Sequence, residues 1–284
     1  MPNSCTKRRM LSLGLLASLA GMVPAPQGMA ASAPPDFSPS AETAWVGIGI
    51  GAFAPVPGSP QPVVQDPAHR YVPNNTPGEQ PTHRISDVSN PNLKQWAKEV
   101  MKKDNDEVLA GKFAFTARAS CQAAGVPGFL VLLAPGGLTI LQSPNKVTMI
   151  VDGNAETRHI RLNAPHAANA KPSWYGDSVG HYEGDTLVVD TIGVTDRTFV
   201  DYYRTPHTEQ IHVVERFKMV DGGKTLHVDV NVEDPGAFTM AWNAIQEWVR
   251  RDVGPHVENL CEPANEFFYG YDVAPLPKDE SPDF

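Results

Sequence analysis

The sequence has few cysteines, few basic residues and only one long apolar run. Three of its 284 residues are cysteine, and 23 Lys and Arg stand against 32 Asp and Glu, for a formal net charge of −9. This acidic balance argues against nucleic acids and anionic membrane surfaces as partners, because both are polyanions. Beyond the first thirty residues, no apolar stretch is long enough to cross a bilayer as a helix. We therefore predict neither nucleic-acid binding nor membrane insertion, and the composition does not indicate an oligomeric state.

Residues 1–30 have the composition of an export leader. Lys7, Arg8 and Arg9 precede the short apolar run MLSLGLLASLAGMV, and small residues lead to a cleavage site after Ala30. The adjacent arginines fit both a general secretory signal and a twin-arginine signal. We predict that this segment is a signal peptide and that the protein is periplasmic or secreted. Its removal takes away three basic residues and leaves 20 against 32 acidic ones, a net charge of −12.

Two cysteines, Cys121 and Cys261, remain in the predicted mature chain. An oxidising compartment favours a disulfide bond between them, which would close a loop of about 140 residues and contribute a few kcal/mol to stability. Two separate buried thiols are the alternative.

Sequence motifs for cofactors are incomplete. Neither H-E-x-x-H nor C-x-x-C nor H-x-H occurs, and GIGIGAF at 47–53 lacks the third glycine of a dinucleotide-binding loop. GDSVG at 176–180 matches the G-x-S-x-G of hydrolases, but a hairpin pattern follows it where that motif requires a helix. The sequence therefore predicts no cofactor.

A metal site would have to combine two pairs of side chains, each pair on one face of a strand. These pairs are His207 with Glu209 and His227 with Asp229. The second pair alternates with an apolar set that is typical of the core-facing side of a strand, namely Leu226, Val228, Val230 and Val232. We therefore expect His227 and Asp229 to face solvent, and we predict no metal.

The chain after the leader changes in composition twice. Residues 31–91 hold 12 of the 27 prolines, and we predict a Pro-rich N-terminal extension that wraps around the domain or hangs from it, with a strand at 44–53. A helix is predicted next, with Asn90 as its N-cap, Pro91 in its first turn and Gly111 at its end.

Beyond the helix, the apolar pattern changes from the helical period to alternation. Turn signals at 183–184 and 221–223 separate runs such as DTLVVDTIGV, QIHVVERFKMV and TLHVDVNVED. Strands and helices do not alternate in this part of the sequence. We predict an all-β antiparallel barrel or sandwich with one leading helix, and residues 92–284 as a single β-rich domain.

The stretch PHTEQIHVVERF at 206–217 carries the candidate catalytic residues. As a strand, it would place Glu209 and Glu215 on the same face as an apolar set, Ile211, Val213 and Phe217. A carboxylate that is removed from water without a full partner has a raised pKa, which suits a general acid or base near neutral pH. We predict that His207 is the general base or acid, that Glu209 orients it and that Glu215 supports the pair.

Four more residues are predicted to bind the substrate, as aromatic walls or charged contacts: Trp174, Tyr203, Asp190 and Arg216. A structural interpretation of the carboxylates stays open beside the catalytic one. It places Glu209 in solvent at the end of the strand and pairs Glu215 with an arginine such as Arg161 or Arg250.

Three stretches resemble the landmarks of a large family of exported bacterial proteins, many without an assigned function: PSWYGDSVGHYEGDTLVVDTIGVTDRTFVD, TPHTEQIHVVERF and NVEDPGAFTMAWNAIQEWVRRD. The family pattern is close to W-x-G-x-S-x-G-x-W-E-G-D-T-L-V-V-D-T, followed by P-H-S-E, E-R-F and E-D-P. The likeness spans residues 115–265. This chain differs at His181-Tyr182, where Arg-Trp is frequent, and at Thr208, which replaces a serine. The resemblance implies an antiparallel, calycin-like barrel and carries no established reaction.

These observations predict a periplasmic enzyme that acts on a small, largely apolar molecule by cofactor-free acid and base chemistry, as a lyase, isomerase or hydrolase. Two alternatives stay open. One is a non-catalytic periplasmic carrier whose cavity binds an apolar ligand. The other is a structural envelope protein, with the Pro-rich segment as its tether.

Overall fold

Strands whose residues alternate between buried and less buried positions form the main regular structure of the described chain. The computed structural model of the protein describes residues 33–38, 40, 42–48, 52–73, 76–114, 121–131, 137–151, 156–254, 267–268 and 271–274. The predicted leader at 1–30 lies outside these residues, and so does Cys261. The signal peptide and the disulfide bond between Cys121 and Cys261 therefore stay predictions.

The described elements comprise one α-helix and a series of strands. The helix, α1, spans Gln95–Leu109. The strands are, in chain order, β1 (Thr43–Gly47), β2 (Ala54–Pro55), β3 (Phe113–Ala114), β4 (Leu138–Ser143), β5 (Lys146–Val151), β6 (Glu156–Leu162), β7 (Asp177–Glu183), β8 (Thr186–Ile192), β9 (His212–Val220), β10 (Thr225–Glu233), β11 (Trp242–Asp252), β12 (Phe267–Phe268) and β13 (Tyr271–Ala274).

Nine of the described strands close into a barrel, in the order β1, β4, β5, β6, β7, β8, β9, β10, β11 and back to β1. The predicted all-β barrel with one leading helix is thereby confirmed. Neighbouring barrel strands are antiparallel except β6 and β7, which are parallel because residues 163–176 return the chain to the end at which β6 begins. The short strand β2 pairs with β11 through two residue pairs and is not one of the nine barrel strands.

The barrel closes through β1, which joins its first and last long strands. β1 pairs with β11 along its whole length, but it meets β4 only at Trp45 and Leu138. A β-carbon at Gly137 would lie 2.7 Å from the carbonyl oxygen of Trp45, and φ at Gly137 is +74°. Only glycine fits both conditions, so Gly137 allows β4 to begin directly against β1.

The barrel interior is filled by side chains from every second strand residue. Fully buried apolar residues come from β5, β6, β8, β9 and β10, among them Val147, Met149, Val151, Ile160, Leu187, Val189, Val213, Phe217, Leu226 and Val228. Burial of each such side chain stabilises the fold by roughly 1.5–3 kcal/mol. The interior is therefore largely a packed core.

The Pro-rich segment at 33–91 packs against the barrel. It supplies β1 at Thr43–Gly47, which overlaps the first part of the strand predicted at 44–53, and its side chains Phe37, Phe53 and Val63 belong to the main hydrophobic core. The indole of Trp45 donates a hydrogen bond to the Phe37 carbonyl at 2.9 Å. These described residues therefore belong to the packed fold, and β1 is one of the barrel strands.

The helix begins later than the sequence pattern predicted. Lys94 occupies the N-cap position without a side-chain cap, and Asn90 accepts a hydrogen bond from the Asn92 amide at 2.9 Å in the preceding turn. On the buried face of α1, Asn105 exchanges hydrogen bonds with Ser86, which joins the helix to the Pro-rich segment. Across the described ranges, no helix is long and apolar enough to cross a membrane.

Candidate functional site

His207 is buried between two threonines. Its side chain is 3% exposed, its Nδ1 lies 3.0 Å from the Thr208 carbonyl oxygen, and its Nε2 lies 2.8 Å from Thr198 Oγ1. Because a carbonyl only accepts, Nδ1 carries the proton and Nε2 accepts from the Thr198 hydroxyl. Burial lowers the pKa of His207, and the Thr208 hydrogen bond and the charges of Asp234 and Asp196 offset this only in part. The imidazole is therefore neutral near pH 7.

Glu209 lies in a tight turn and is exposed, so its predicted place on the inner strand face is wrong. Asp234 accepts hydrogen bonds from the Thr208 amide at 2.6 Å and from the Thr208 hydroxyl at 2.7 Å. The Ile211 amide then donates to the Thr208 carbonyl at 3.1 Å, which closes the turn with Glu209 at its tip. Strand β9 begins only at His212, and no described contact joins Glu209 to His207.

Glu215 does lie on the inner face of β9, where it forms an ion pair with Arg158 of β6. Arg158 Nη1 donates to Oε1 at 2.9 Å and Nη2 to Oε2 at 2.5 Å, and both side chains are fully buried. Arg158 also donates to Thr191 Oγ1 at 2.9 Å and to Ser178 Oγ at 3.3 Å. Glu215 therefore has the structural role of the alternative interpretation, with Arg158 in the place predicted for Arg161 or Arg250.

Asp190 lies on the outer side of the barrel, away from the predicted catalytic residues. Its Oδ1 is 3.1 Å from His166 Nε2 and 2.9 Å from His212 Nε2. The other ring nitrogen of His166 is 3.2 Å from Asp177, whose second partner is Arg161 at 2.7 Å. This surface cluster holds the connection between β6 and β7 against β8 and β9.

The other two charged or aromatic candidates, Arg216 and Trp174, have no described contact with His207. Arg216 points outward from β9 and donates to Glu183 at 2.7 Å. Trp174 is partly buried, and the guanidinium carbon of Arg197 lies 4.9 Å from the centre of its ring. The predicted site residues are therefore distributed over the barrel and do not converge on one centre.

Tyr203 is 4% exposed and lines a cleft of about 470 Å³ beside β11. β1 pairs with residues 248–252 of β11 and β2 pairs with residues 244–245, and the cleft lies at residues 245–247 between these two pairings. Its walls are largely apolar: Ile48, Ala52, Phe53, Ala54, Val64 and Ile245. We call it the Tyr203 cleft.

Polar groups of the Tyr203 cleft come from Gln65, Tyr203, Gln246 and Glu247. Gln65 Nε2 donates to the Thr82 carbonyl at 3.1 Å, whereas its Oε1 is buried and has no hydrogen-bond partner within the described part of the chain. Burial raises the pKa of Tyr203, and the charge of Asp201 raises it further, so the hydroxyl keeps its proton. The cleft thus combines an apolar wall with both a hydrogen-bond acceptor and a donor.

Two smaller clefts are formed by other described residues. One, of about 360 Å³, is lined by Pro34, Gln142 and Tyr182, and the other, of about 320 Å³, by Arg216, Asp229 and Asn231 together with their neighbours. His207, Glu209 and Glu215 line none of the three clefts. Of the predicted site residues, Tyr203 therefore lines the largest of these three clefts and Arg216 lines the smallest.

Sequence reasoning missed Arg158 and Gln65. The alternation of ETRHIRL does place Arg158 on the same strand face as Ile160, and a charged residue in that position signals a buried partner. Gln65 lies in an irregular Pro-rich segment, where no periodicity marks which side chains face inward.

His227 and Asp229 lie on the outer side of β10, as the alternation predicted. His227 Nδ1 is 3.0 Å from Glu247, and its Nε2 is 3.3 Å from Asp229, while the alternating residues Leu226, Val228 and Val230 are buried. Within the described residues, no group of three or more His, Cys, Asp or Glu side chains is arranged so that it could hold a metal ion.

Comparison with protein-family models, with curated proteins and with solved structures found no match for this chain. The resemblance to the exported bacterial family therefore stays a prediction.

Proposed function

We propose that this protein is an exported carrier that binds a small, largely apolar molecule in the Tyr203 cleft. The observation that carries the proposal is the combination of an apolar wall with buried polar groups in a cleft of about 470 Å³. Small-molecule sites typically have volumes of roughly 300–1,000 Å³ and a few polar groups that orient the ligand.

The apolar walls favour an apolar ligand body. Ile48, Phe53 and Ile245 contribute large side chains, and burial of ligand surface against them supplies binding energy in proportion to area. The small residues Ala52 and Ala54 keep the space between them open.

The polar groups favour a ligand with one polar end. The Oε1 atom of Gln65 is an acceptor without a partner among the described residues, and the protonated hydroxyl of Tyr203, which is hydrogen-bonded to the Gln65 backbone, is a potential donor. A ligand N–H or O–H that meets Gln65 would satisfy an acceptor that is otherwise costly to bury.

The places of the predicted catalytic residues support a carrier over an enzyme. Glu215 is neutralised by Arg158, Glu209 lies in an exposed turn, and His207 lines none of the three clefts. The predicted signal peptide is consistent with a role outside the cytoplasm.

Acid and base catalysis is a second candidate, and one observation favours it. The neutral imidazole of His207 accepts from the Thr198 hydroxyl at 2.8 Å, with the Thr208 carbonyl fixing its tautomer. A hydroxyl, a base and a group that orients the base are the parts of a nucleophilic centre.

The carrier proposal is tested with N-phenyl-1-naphthylamine, a neutral apolar probe that has one N–H group and fluoresces when it leaves water. Titration of the mature protein should give saturable binding at one site. Ala54→Trp places an indole in the cleft and should weaken binding by about tenfold or more, since the apolar contact is replaced by the protein's own side chain.

Ala168→Trp is the matched control, because Ala168 is exposed in a turn and lines none of the three clefts. It should bind the probe as the unmodified protein does. Equal binding by the Ala54→Trp and Ala168→Trp proteins would place the probe elsewhere and contradict the proposal. Native mass spectrometry of the protein from its exported form then identifies a retained ligand.

A further inference from the structure

Arg204 is a buried cation with unused hydrogen-bond donors. Its side chain is 4% exposed, and its Nε and Nη1 atoms are buried without a hydrogen-bond partner in the described part of the molecule. Its nearest carboxylate is Asp104 of α1, with Oδ2 3.4 Å from Nε, beyond good hydrogen-bond length. Burial of a guanidinium whose donors are unpaired costs free energy, and a partner that accepts hydrogen bonds from these donors would offset this cost.

Arg204 also has a backbone conformation that is unusual for its residue type. Its φ is +62°, in the left-handed region that favours glycine. The loop is held by Asp201, which accepts from the Tyr203 amide at 2.9 Å and from Thr205 Oγ1 at 2.7 Å. The fold therefore stabilises the position of this side chain at some cost in backbone energy.

A second arginine, Arg84 of the Pro-rich segment, packs against the same loop. Arg84 Nη1 donates to the Tyr202 carbonyl at 2.9 Å, and its guanidinium carbon lies 3.9 Å from the centre of the Tyr202 ring. Its Nε is buried and, among the described residues, has no hydrogen-bond partner. Burial lowers the pKa of Arg84 to about 10, and the nearby charge of Arg204 contributes to this.

The charges around the two arginines do not balance. Within the described residues, Asp104 is the carboxylate that lies within 4.0 Å of either guanidinium. Glu107 is 3.4 Å from Lys112, and burial lowers the pKa of the neighbouring His83 to about 4, so that it is neutral near pH 7. The charges of Asp104 and Glu107 both act on Arg204, but Glu107 is shared with Lys112, so three basic side chains stand against two carboxylates.

We propose that Arg84 and Arg204 together bind a small oxyanion, a carboxylate or inorganic phosphate, between α1 and the loop at residues 201–205. Planar guanidinium groups donate two parallel N–H bonds to such oxygens, and the Nε atoms of both arginines and Nη1 of Arg204 are the buried donors without a partner among the described residues. Arg84, Tyr202 and Asp104 are partly exposed, so an anion approaches this pair from solvent. Neither arginine lines the Tyr203 cleft, although Tyr203 belongs to the same loop, and the proposal does not depend on the carrier proposal.

The test compares the melting temperature of the mature protein in sodium chloride, sodium phosphate and sodium acetate at equal ionic strength and pH 7. We expect phosphate, acetate or both to raise the melting temperature above that in chloride, and calorimetric titration to give one site. The two anions distinguish a phosphate site from a carboxylate site. Arg204→Lys and Arg84→Lys keep the positive charge but lose the planar donors, and each should weaken binding by about tenfold.

Arg70→Lys is the control, since Arg70 is exposed and pairs with Glu79 on the surface. It should retain the full effect of the anion. Equal melting temperatures in all three salts, or an unchanged response in both Arg204→Lys and Arg84→Lys, would overturn the proposal. If Arg204→Lys does not fold, the titration of Arg84→Lys alone decides the outcome, because it leaves the buried Arg204 in place.

Discussion

Arg158 and Glu215 form a two-point ion pair inside the barrel, joining β6 to β9 across 57 positions of the sequence. Ser178 and Thr191 bind the same guanidinium from β7 and β8, so four consecutive strands share one polar centre. With both side chains fully buried, each charge depends on the other for its stability.

Removal of one member of this pair should be strongly destabilising. Glu215→Gln leaves the Arg158 charge buried without a counter-charge, and we expect a loss of about 3–5 kcal/mol in the free energy of unfolding. The double variant Arg158→Met with Glu215→Leu should regain much of this loss, because no charge is then left in the core. Urea unfolding of the three proteins measures the effect.

Arg216→Gln is the control for this comparison, since it removes an exposed ion pair with Glu183 from the opposite face of the same strand. It should leave the unfolding midpoint nearly unchanged. If the losses of Arg158→Met and Glu215→Leu, each also made alone, simply add in the double variant, Arg158 and Glu215 do not act as a pair.

His207→Ala should lower stability by about 2 kcal/mol. It removes the hydrogen bonds to Thr198 and Thr208 and leaves a cavity beside buried backbone. Thermal and urea unfolding measure the loss, with the exposed Glu209→Ala as a variant that should melt like the unmodified protein. A His207→Ala protein of unchanged stability would instead favour the catalytic role of His207.

The carboxyl group of Asp201 should make stability depend on pH. Burial raises its pKa to about 6 from the ordinary 3.8, and hydrogen bonds from Thr205 and Tyr203 offset this only in part. A raised pKa in the folded state means that the contribution to stability is full below pH 3.8 and is lost as the pH rises through 6. The loss is on the order of 2–3 kcal/mol.

Asp201→Asn imitates the protonated carboxyl and should remove this dependence. We expect the variant to gain stability relative to the unmodified protein between about pH 4 and pH 7, as followed by urea unfolding. The exposed Asp252→Asn should show no such gain. A constant difference between the Asp201→Asn and unmodified proteins across this range would show that the Asp201 carboxyl does not titrate there.

The predicted disulfide bond between Cys121 and Cys261 should appear as an absence of titratable thiols in the denatured, unreduced mature protein. Cys121→Ser, Cys261→Ser and the double variant should all lose the same amount of stability, roughly 2–4 kcal/mol, because each removes the same bond. Two reactive thiols in the unmodified protein, or additive losses in the double variant, would support independent cysteines.

Local alternation was sufficient to predict the inner face of β9. Val213, Glu215 and Phe217 are fully buried, as their spacing indicated, and the turns at 183–184 and 221–223 separate the strands as predicted. Glu209 was placed wrongly because its position depends on Asp234, which is distant in sequence and forms the turn through Thr208. No local pattern reports such a contact.

The partner of Glu215 was also beyond the sequence. Arg161 and Arg158 lie on the same strand, but Arg161 is on the outer side, where it binds Asp177. Arg158 and Arg161 are three positions apart on β6, so their side chains lie on opposite faces of the strand. The order of strands around the barrel then brings Arg158 to Glu215. The strand face on which a residue lies can be predicted from the sequence, whereas the order of the strands requires the complete fold.

The sequence by itself determined the all-β class, the leading helix, the hairpin turns and the face of each long strand, because these depend on residues that are close together in the chain. The tertiary structure alone decided that the Pro-rich segment completes the barrel, that Arg158 neutralises Glu215, and that Gln65 and Tyr203 meet in one cleft. Those relationships join residues that are tens to more than a hundred positions apart. Only closure of the barrel sets their distances.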